Sequence, residues 1–546
     1  MSILGKEWQL NYKRQPGETL WSTLLAARTV ENPGTFFAEA KVSDLHDPFL
    51  FKDMERATTR IQNAINARER IVVYGDYDVD GTSGTALLVH TLRFIGAEVS
   101  YRIPHRLKDG YGLHKKYIDE LIEQNVAIVI TVDLGISCPA EVAHAQENNL
   151  DVIITDHHTI PSKIPEAFAI LHPNLAPDYP FKKLSGSGVA FKLACALLIK
   201  TENEDLIPRF IDLASLGTVA DCVPLIGENR TIVKLGLKQL EKTHWDGLRA
   251  ILERTGSYDK GAFTSDTIGF QIGPRLNASG RIDDPYWTLQ TLLAEGQDAH
   301  EKSQKLEELN LKRRKMTEEI LKEAEASIDL SKAIIIAAGK GWSSGIVGLI
   351  AGRLQEKYQK PAFIMEDRGD SLVGSARSLP GFHAVHALKI TEHILVGFGG
   401  HEQAAGFHLK KENLEEFTTK LHEYAEAFMK KNIIKSPLKL DCVLNPEELT
   451  LADLDKISSF APFGMANPKP LFLLENAKII STRLVGKDQK HLKFTVKYGK
   501  ELFPGIAFNF AEHEDALWKA NNLVIELKKN HWKGETKLDL GLVDFS

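Results

Sequence analysis

The stretch Ile71-Val72-Val73-Tyr74-Gly75-Asp76-Tyr77-Asp78-Val79-Asp80-Gly81-Thr82-Ser83-Gly84 decides how the rest of the chain is read. Its β-branched and aromatic opening predicts a strand running to Asp76. Asp76, Asp78 and Asp80 alternate with other residues, so in extended geometry their carboxylates project to one side. Like charges gathered this way repel one another unless cations neutralise them. Gly81 and Gly84 allow a tight turn into a helix N-terminus, a place suited to phosphate. A solvated acidic turn or a calcium loop is the plainer alternative. DxDxDG does open an EF-hand loop, but Leu87 stands where such a loop needs its glutamate, and a strand precedes it instead of a helix.

Outward from this stretch the pattern repeats. Further strands are expected at Glu98–Ile103, Val126–Asp133 and Asp151–Asp156, with helical segments between them. Apolar strands alternating with helices predict a parallel sheet covered on both faces, and such sheets bind ligands beyond the carboxyl ends of their strands. Two of those ends read Val132-Asp133-Leu134-Gly135 and Thr155-Asp156-His157-His158. A lone Asp after a strand is more often a cap or turn than a ligand, and a lone His is usually structural. Several carboxylates and two imidazoles at one sheet edge are harder to dismiss. Hard oxygen donors with one or two imidazoles suit Mn²⁺ or Mg²⁺ better than zinc. Asp221, in Ala214-Ser215-Leu216-Gly217-Thr218-Val219-Ala220-Asp221, is a weak signal by itself.

The remaining chain divides by texture. Residues 299–328 lack Gly and Pro and predict one long connector helix. Its run Lys312-Arg313-Arg314-Lys315 reads as a solvated face, or as a DNA channel lining if the helix spans two domains. A second α/β unit follows, and after Pro437 come short β runs that look like a small barrel. The expected domains are an N-terminal arm or cap (1–45), a first α/β domain (46–295), the connector (296–330), a second α/β domain (331–432) and the β-rich segment (433–546).

At 546 residues the chain is too long for one core, and 43% hydrophobic with 26% charged residues is ordinary for a globular protein. The net charge of −6 argues against a whole-surface nucleic-acid binder but leaves room for a basic groove. No apolar run is long enough to cross a bilayer, and the first residues lack the basic-then-apolar order of a secretion signal. Cys138, Cys195, Cys222 and Cys442 are scattered, as expected of unpaired residues in a reducing cytoplasm.

Together DYDVDG, VDLG, TDHH and GTVADCVPL resemble the DHH phosphoesterase superfamily, in its order and at plausible separations. Gly341–Gly348, Gly374–Ser378 and Gly397–His401 look like its associated second domain, and the β-rich C-terminus resembles an OB-fold. Ile103-Pro104-His105-Arg106, Gly110-Tyr111-Gly112 and Pro274-Arg275-Leu276-Asn277-Ala278-Ser279-Gly280-Arg281 are similar to the branch that degrades single-stranded DNA from its 5′ end. The resemblance covers nearly everything beyond residue 45.

It implies two divalent cations, Mn²⁺ or Mg²⁺, one held by Asp76, Asp78 and Asp133, the other by Asp80, Asp133, His157 and Asp221. Asp133 would bridge. Two such ions stabilise the attacking and leaving oxygens of an in-line displacement and acidify a water. Asp156 is expected to orient an imidazole, and His158 to meet the scissile phosphate or protonate the leaving group. Arg106, Arg275, Ser375 and Arg377 are expected on backbone and terminal phosphates, because an Arg fork with a hydroxyl matches phosphate geometry. Simple pairing of each Arg with a carboxylate is about as plausible. Tyr111, Asn277, Arg281, Gly399, Gly400 and His401 complete the expected DNA contacts, with a plain hairpin turn as the alternative at Gly399–His401. The resemblance further implies a cytoplasmic monomer in DNA repair and recombination, working beside a single-strand-binding protein and a helicase. Relatives acting on short oligonucleotides, cyclic dinucleotides or pyrophosphate are the enzymatic alternative, and a DNA-binding scaffold of the same fold is the other.

Overall fold

The Ile- and Val-rich runs between residues 70 and 171 pair into one five-stranded sheet. In chain order its strands are β1 (Arg70–Gly75), β2 (Val99–Arg102), β3 (Val126–Val132), β4 (Asp151–Thr155) and β5 (Ala169–Leu171). They lie in the order β2-β1-β3-β4-β5, every neighbouring pair parallel. Side-chain alternation sends Ile71, Val73, Ile128 and Ile130 into one core with the helices Val79–Phe94, Gly186–Lys200 and Ile207–Ala220. Val72, Tyr74, Val129 and Ile154 enter a second core with Lys115–Glu123 and Pro139–Glu147. Helices on both faces force the strands to be apolar throughout. The helix Val79–Phe94 is buried along most of its length, which suits its weakly amphipathic sequence.

This computed structural model describes residues 2–256, 258, 263–431, 437–532 and 535–546. It divides into two compact units. The larger, Ala40–Asn432 with Gly464–Asn467, holds the parallel sheet, the 32-residue helix Gly296–Ser327 and a second sheet. That sheet is built of β6 (Ile335–Lys340), β7 (Ala362–Asp367), β8 (Ser371–Arg377), β9 (Leu395–Gly400) and β10 (Ala404–Lys410), in the order β9-β10-β8-β7-β6. Only β6 and β7 run parallel.

The smaller unit joins Met1–Glu39 to Ile433–Phe463 and Pro468–Ser546. Trp8–Leu10 pairs in parallel with Leu438–Leu440, and Leu20 and Leu24 share a core with Phe460, Phe472 and Phe494. Arg28 donates to Asp441 over 2.8 Å and Arg14 to Glu448 over 2.8 Å. The N-terminal segment read as an arm or cap is thus part of the β-rich unit through residue 39. That unit's main sheet has seven strands of mixed direction. The expected boundary at 432/433 lies outside the described residues.

Candidate metal centre

Register brings the acidic residues together. Gly75 pairs with Val132 and Val132 with Thr155, so β1, β3 and β4 end level. The next residues, Asp76, Asp133 and Asp156, continue this alignment: their N–H groups donate to the carbonyls of Val132, Thr155 and Leu171 over 3.1, 3.0 and 3.2 Å. Adjacent strands stand about 4.8 Å apart, so three consecutive strand ends present three carboxylates in a row. Asp78 caps the helix Val79–Phe94, its Oδ1 accepting from Gly81 N–H at 3.1 Å, which places Asp80 in the first turn. Asp221 follows the helix Ile207–Ala220 on the same side.

Asp76, Asp80, Asp133 and Asp156 are buried. His157 Nε2 lies 3.1 Å from Asp133 Oδ1, 3.6 Å from Asp221 Oδ2 and 3.9 Å from Asp80 Oδ2. Three sets of ligand atoms gather within 4.8 Å of one another: Asp76 with Asp78 and Asp133; Asp80 with His157 and Asp221; and Asp133 with His157 and His158. Burial, with the neighbouring carboxylates, pushes the carboxyls of Asp76, Asp78 and Asp133 above their usual range, and that of Asp221 to about 8.

The bonding of this cluster fits a cation. Asp76 Oδ1, Asp133 Oδ1 and His157 Nε2 are buried with no hydrogen-bond partner, and the first two are the only carboxylate oxygens in that state among the described residues. Leaving them so costs about 1–3 kcal/mol per group or more unless something fills the gap. Oxygen donors with one or two imidazoles match a hard divalent ion.

The other polar groups orient those donors. Asp80 accepts from the N–H groups of Gly186 and Ser187 at 2.6 and 2.9 Å, at the positive end of the helix Gly186–Lys200. A side chain at Gly186 would put its Cβ 2.5 Å from Asp133 Cβ, and one at Gly217 would put it 2.2 Å from Asp80 Oδ1. Both positions admit only glycine. Asp156 accepts from the N–H groups of Ile136, His157 and His158 and from His158 Nδ1 at 2.8 Å. Burial alone would raise its carboxyl, but the His158 ring and the backbone donors hold it below the usual range. Burial would likewise lower His158, yet the Asp156 carboxylate raises it to about 9. The Tyr111 hydroxyl donates to the Asp133 carbonyl over 3.0 Å and lies 3.1 Å from His158 Nδ1.

Beside this acidic pocket stand cations. Arg106 lies over the Tyr77 ring, 5.0 Å from its centroid, close enough for its charge to act on Asp76 and Asp78. Arg281 donates to the Gly345 carbonyl over 3.1 Å; burial, with the charges of Arg106, Arg313 and Arg377, pushes it down to about 9. Arg377 donates to Ser375 Oγ over 2.9 Å and to the Ala376 carbonyl over 2.8 Å. None of these three pairs with a carboxylate among the described residues. Arg275 differs: its Nε and Nη2 engage Glu307 and its Nη1 the Gln271 carbonyl, the plainer of the two expectations. Asn277 is half-buried one turn before Arg281. Gly399 and Gly400 end β9, and His401 N–H donates to the Ala404 carbonyl over 2.8 Å, closing a hairpin onto β10. In the smaller unit Phe460, Phe494 and Tyr498 are core, while Lys493 and Lys497 face outward.

Sequence reading did not single out Gly186, Ser187 or Gly217. The signal available was Ser185-Gly186-Ser187-Gly188, a small-residue turn opening a helix that a parallel sheet directs at its carboxyl edge.

A parallel sheet whose carboxyl edge gathers the DxDxDG aspartates, Asp133 and the triplet Asp156-His157-His158 defines the DHH class of phosphoesterases. Residues 70–218 match the DHH family, N-terminal domain; 331–427 match the DHHA1 domain; and 440–544 match the RecJ OB domain. The single-stranded-DNA-specific exonuclease RecJ of Escherichia coli K12 is 33% identical over 89% of this chain and 89% of its own length. Its counterpart in Bacillus subtilis 168 is 37% identical over 93% of this chain, which spans 65% of that relative's length. The crystal structure of RecJ from Thermus thermophilus in complex with Mn²⁺ superposes with a TM-score of 0.82 at 29% identity, covering 99% of this chain and 79% of that one. The chain belongs to the RecJ family.

Proposed function

We propose that this protein is a metal-dependent exonuclease that degrades single-stranded DNA from its 5′ end to mononucleotides, in DNA repair and recombination. The observation that carries the reading is the buried acidic pocket whose orphaned atoms, Asp76 Oδ1, Asp133 Oδ1 and His157 Nε2, face one another beside unpaired arginines. Asp76, Asp78 and Asp133 would hold one divalent ion, Mn²⁺ or Mg²⁺, and Asp80, Asp133, His157 and Asp221 the other, with Asp133 between them. When bound, the pair supplies Lewis-acid charge to the reacting phosphate and acidifies a water. The RecJ crystal structures with Mn²⁺ and with Mg²⁺ support this choice of ions.

The chain's own residues do the rest. Gly186 and Ser187 N–H groups hold Asp80, and Asp156 fixes the His158 ring. His158, its Nδ1 held by Asp156, would act as a donor to the scissile phosphate or the departing 3′ oxygen. Arg106, Arg281, Ser375 and Arg377 form the seat for the terminal 5′-phosphate, since unpaired guanidiniums with a hydroxyl match its geometry. Polarity rests on the family, as do action as a monomer and work beside a single-strand-binding protein and a helicase. Four unpaired cysteines suit a cytoplasmic setting.

The test is digestion of long single strands blocked at one end. A blocked 5′ end stops degradation and a blocked 3′ end does not; efficient digestion from the 3′ end refutes the polarity. Binding of DNA with no cleavage in Mn²⁺ refutes the enzyme.

A further inference from the structure

Arg313 and Arg353 have no role in the reaction described above. They line, with Arg377, Gly348 and Gly352, a cavity of about 600 Å³, within the size range of small-ligand sites. Both glycines lie on the helix Ser344–Tyr358, one turn apart, and a Cβ at Gly348 would sit 3.1 Å from Ser375 Oγ and 3.3 Å from Arg377 Nη2. A side chain there would crowd the cavity. Arg313 Nη2 donates to Asn310 Oδ1 over 2.9 Å, while its Nε is buried with no partner. The carboxylate of Glu356 is the single anion among the lining residues.

The arginines also have an order. Arg106 acts on Asp76 and Asp78 at the acidic pocket; Arg281 feels Arg106, Arg313 and Arg377; Arg313 in turn feels Arg353. Positive charge therefore continues past the seat of a single phosphate, into the cavity that Arg313 and Arg353 line. A site for one terminal phosphate needs no such extension. An end carrying further phosphates in line does.

We propose that the cavity lined by Arg313, Arg353 and Arg377 takes the second and third phosphates of a 5′-polyphosphorylated strand end, making such ends substrates. The inference rests on the 5′-exonuclease reading and adds a substrate class to it. In the first turnover, water adds to the phosphorus joining nucleotides one and two, and the bond from that phosphorus to the 3′ oxygen breaks. The 3′ oxygen takes a proton, a nucleoside 5′-triphosphate leaves, and the shortened strand keeps an ordinary 5′-monophosphate.

The experiment uses the full chain with Mn²⁺ and one single-stranded oligodeoxynucleotide carrying a 5′-hydroxyl, a 5′-monophosphate or a 5′-triphosphate. The wild type is expected to degrade the triphosphate end at least as efficiently as the monophosphate end, releasing a nucleoside triphosphate first. Arg353→Ala and Arg313→Ala/Arg353→Ala are expected to lose on the order of ten-fold in kcat/KM on the triphosphate end, with the monophosphate end nearly unchanged. Arg353 is exposed, so its single variant folds whatever the double variant does. Inorganic tripolyphosphate should displace DNA from Asp133→Asn protein, and less so once Arg353 is replaced, a readout without turnover. A wild type that stalls on the triphosphate end overturns the proposal, as does an equal loss on both ends in the variants. Failure to digest any 5′ end would instead refute the underlying exonuclease reading.

Discussion

Two groups of buried acids in the larger unit sit a short way apart in sequence and differ in their bonding. Behind the sheet, Glu228 accepts from Lys192 Nζ at 2.9 Å, from His46 N–H at 3.0 Å and from the Tyr179 hydroxyl. Asp212 accepts from Thr243 Oγ1, Trp245 Nε1 and Leu213 N–H at 2.7, 3.0 and 2.8 Å. At the carboxyl edge Asp76 and Asp133 are equally buried, yet each keeps an oxygen with no donor. A satisfied buried acid specifies structure; an unsatisfied one among other acids costs stability and persists where a ligand compensates. Burial alone separates nothing here. The missing donors do.

Substitutions at the two groups should therefore fail in opposite ways. The largest effect is expected at Asp133, where loss of the shared ligand should lower kcat by roughly 10³-fold or more. Its φ of 63° makes Asn the cleaner replacement, because Asn tolerates the left-handed region and Ala does not. Metal-free Asp133→Asn should melt no lower than wild type in calorimetry, since a carboxyl that burial and its acidic neighbours make costly to ionise has gone. Glu228→Ala should do the reverse: about 3–5 kcal/mol lost in urea unfolding, because Lys192 is left buried and unpaired, with Mn²⁺ affinity of the folded protein unchanged. A Glu228→Ala protein of normal stability would break the comparison.

Asp156→Asn tests the supports of the site, and should lower activity by about 10–100-fold through a misoriented His158, with both ions still bound in metal analysis. The raised carboxyls make a prediction of sign. The folded metal-free cluster keeps protons that the unfolded chain loses near pH 4. Its contribution to stability is therefore present at low pH and lost as pH rises towards about 8, the value at Asp221. Metal must displace those protons, so Mn²⁺ affinity should climb with pH over the same window, with proton release seen calorimetrically in buffers of different ionisation enthalpy. The smallest effect is expected at Arg377→Ala, on the order of ten-fold in KM for 5′-phosphorylated DNA and little for a 5′-hydroxyl end.

The parallel sheet and its acidic edge were legible because strand period and the placement of Asp76, Asp133 and Asp156 directly after three of the strands are local signals. Register added what spacing lacks: that Gly75, Val132 and Thr155 lie level, so that Asp76, Asp133 and Asp156 emerge side by side. The strand Ala169–Leu171 was too short to announce itself. The contacts that support the ligands were less visible, because Gly186 and Gly217 act by having no side chain and only the folded neighbours show why. Arg275 and Arg281 look alike in sequence, six residues apart in one segment. Only packing shows Arg275 bound to Glu307 and Arg281 turned among other cations. The first residues gave no periodic pattern to read, since their short strand pairs with residues more than 400 positions away.

Anomalous scattering from a crystal soaked in Mn²⁺ tests the central claim most directly. Two peaks are expected, one against Asp76 and Asp78, the other against Asp80, His157 and Asp221, with Asp133 touching both. A crystal that gains no ion there, or holds its manganese on other side chains, would contradict the account.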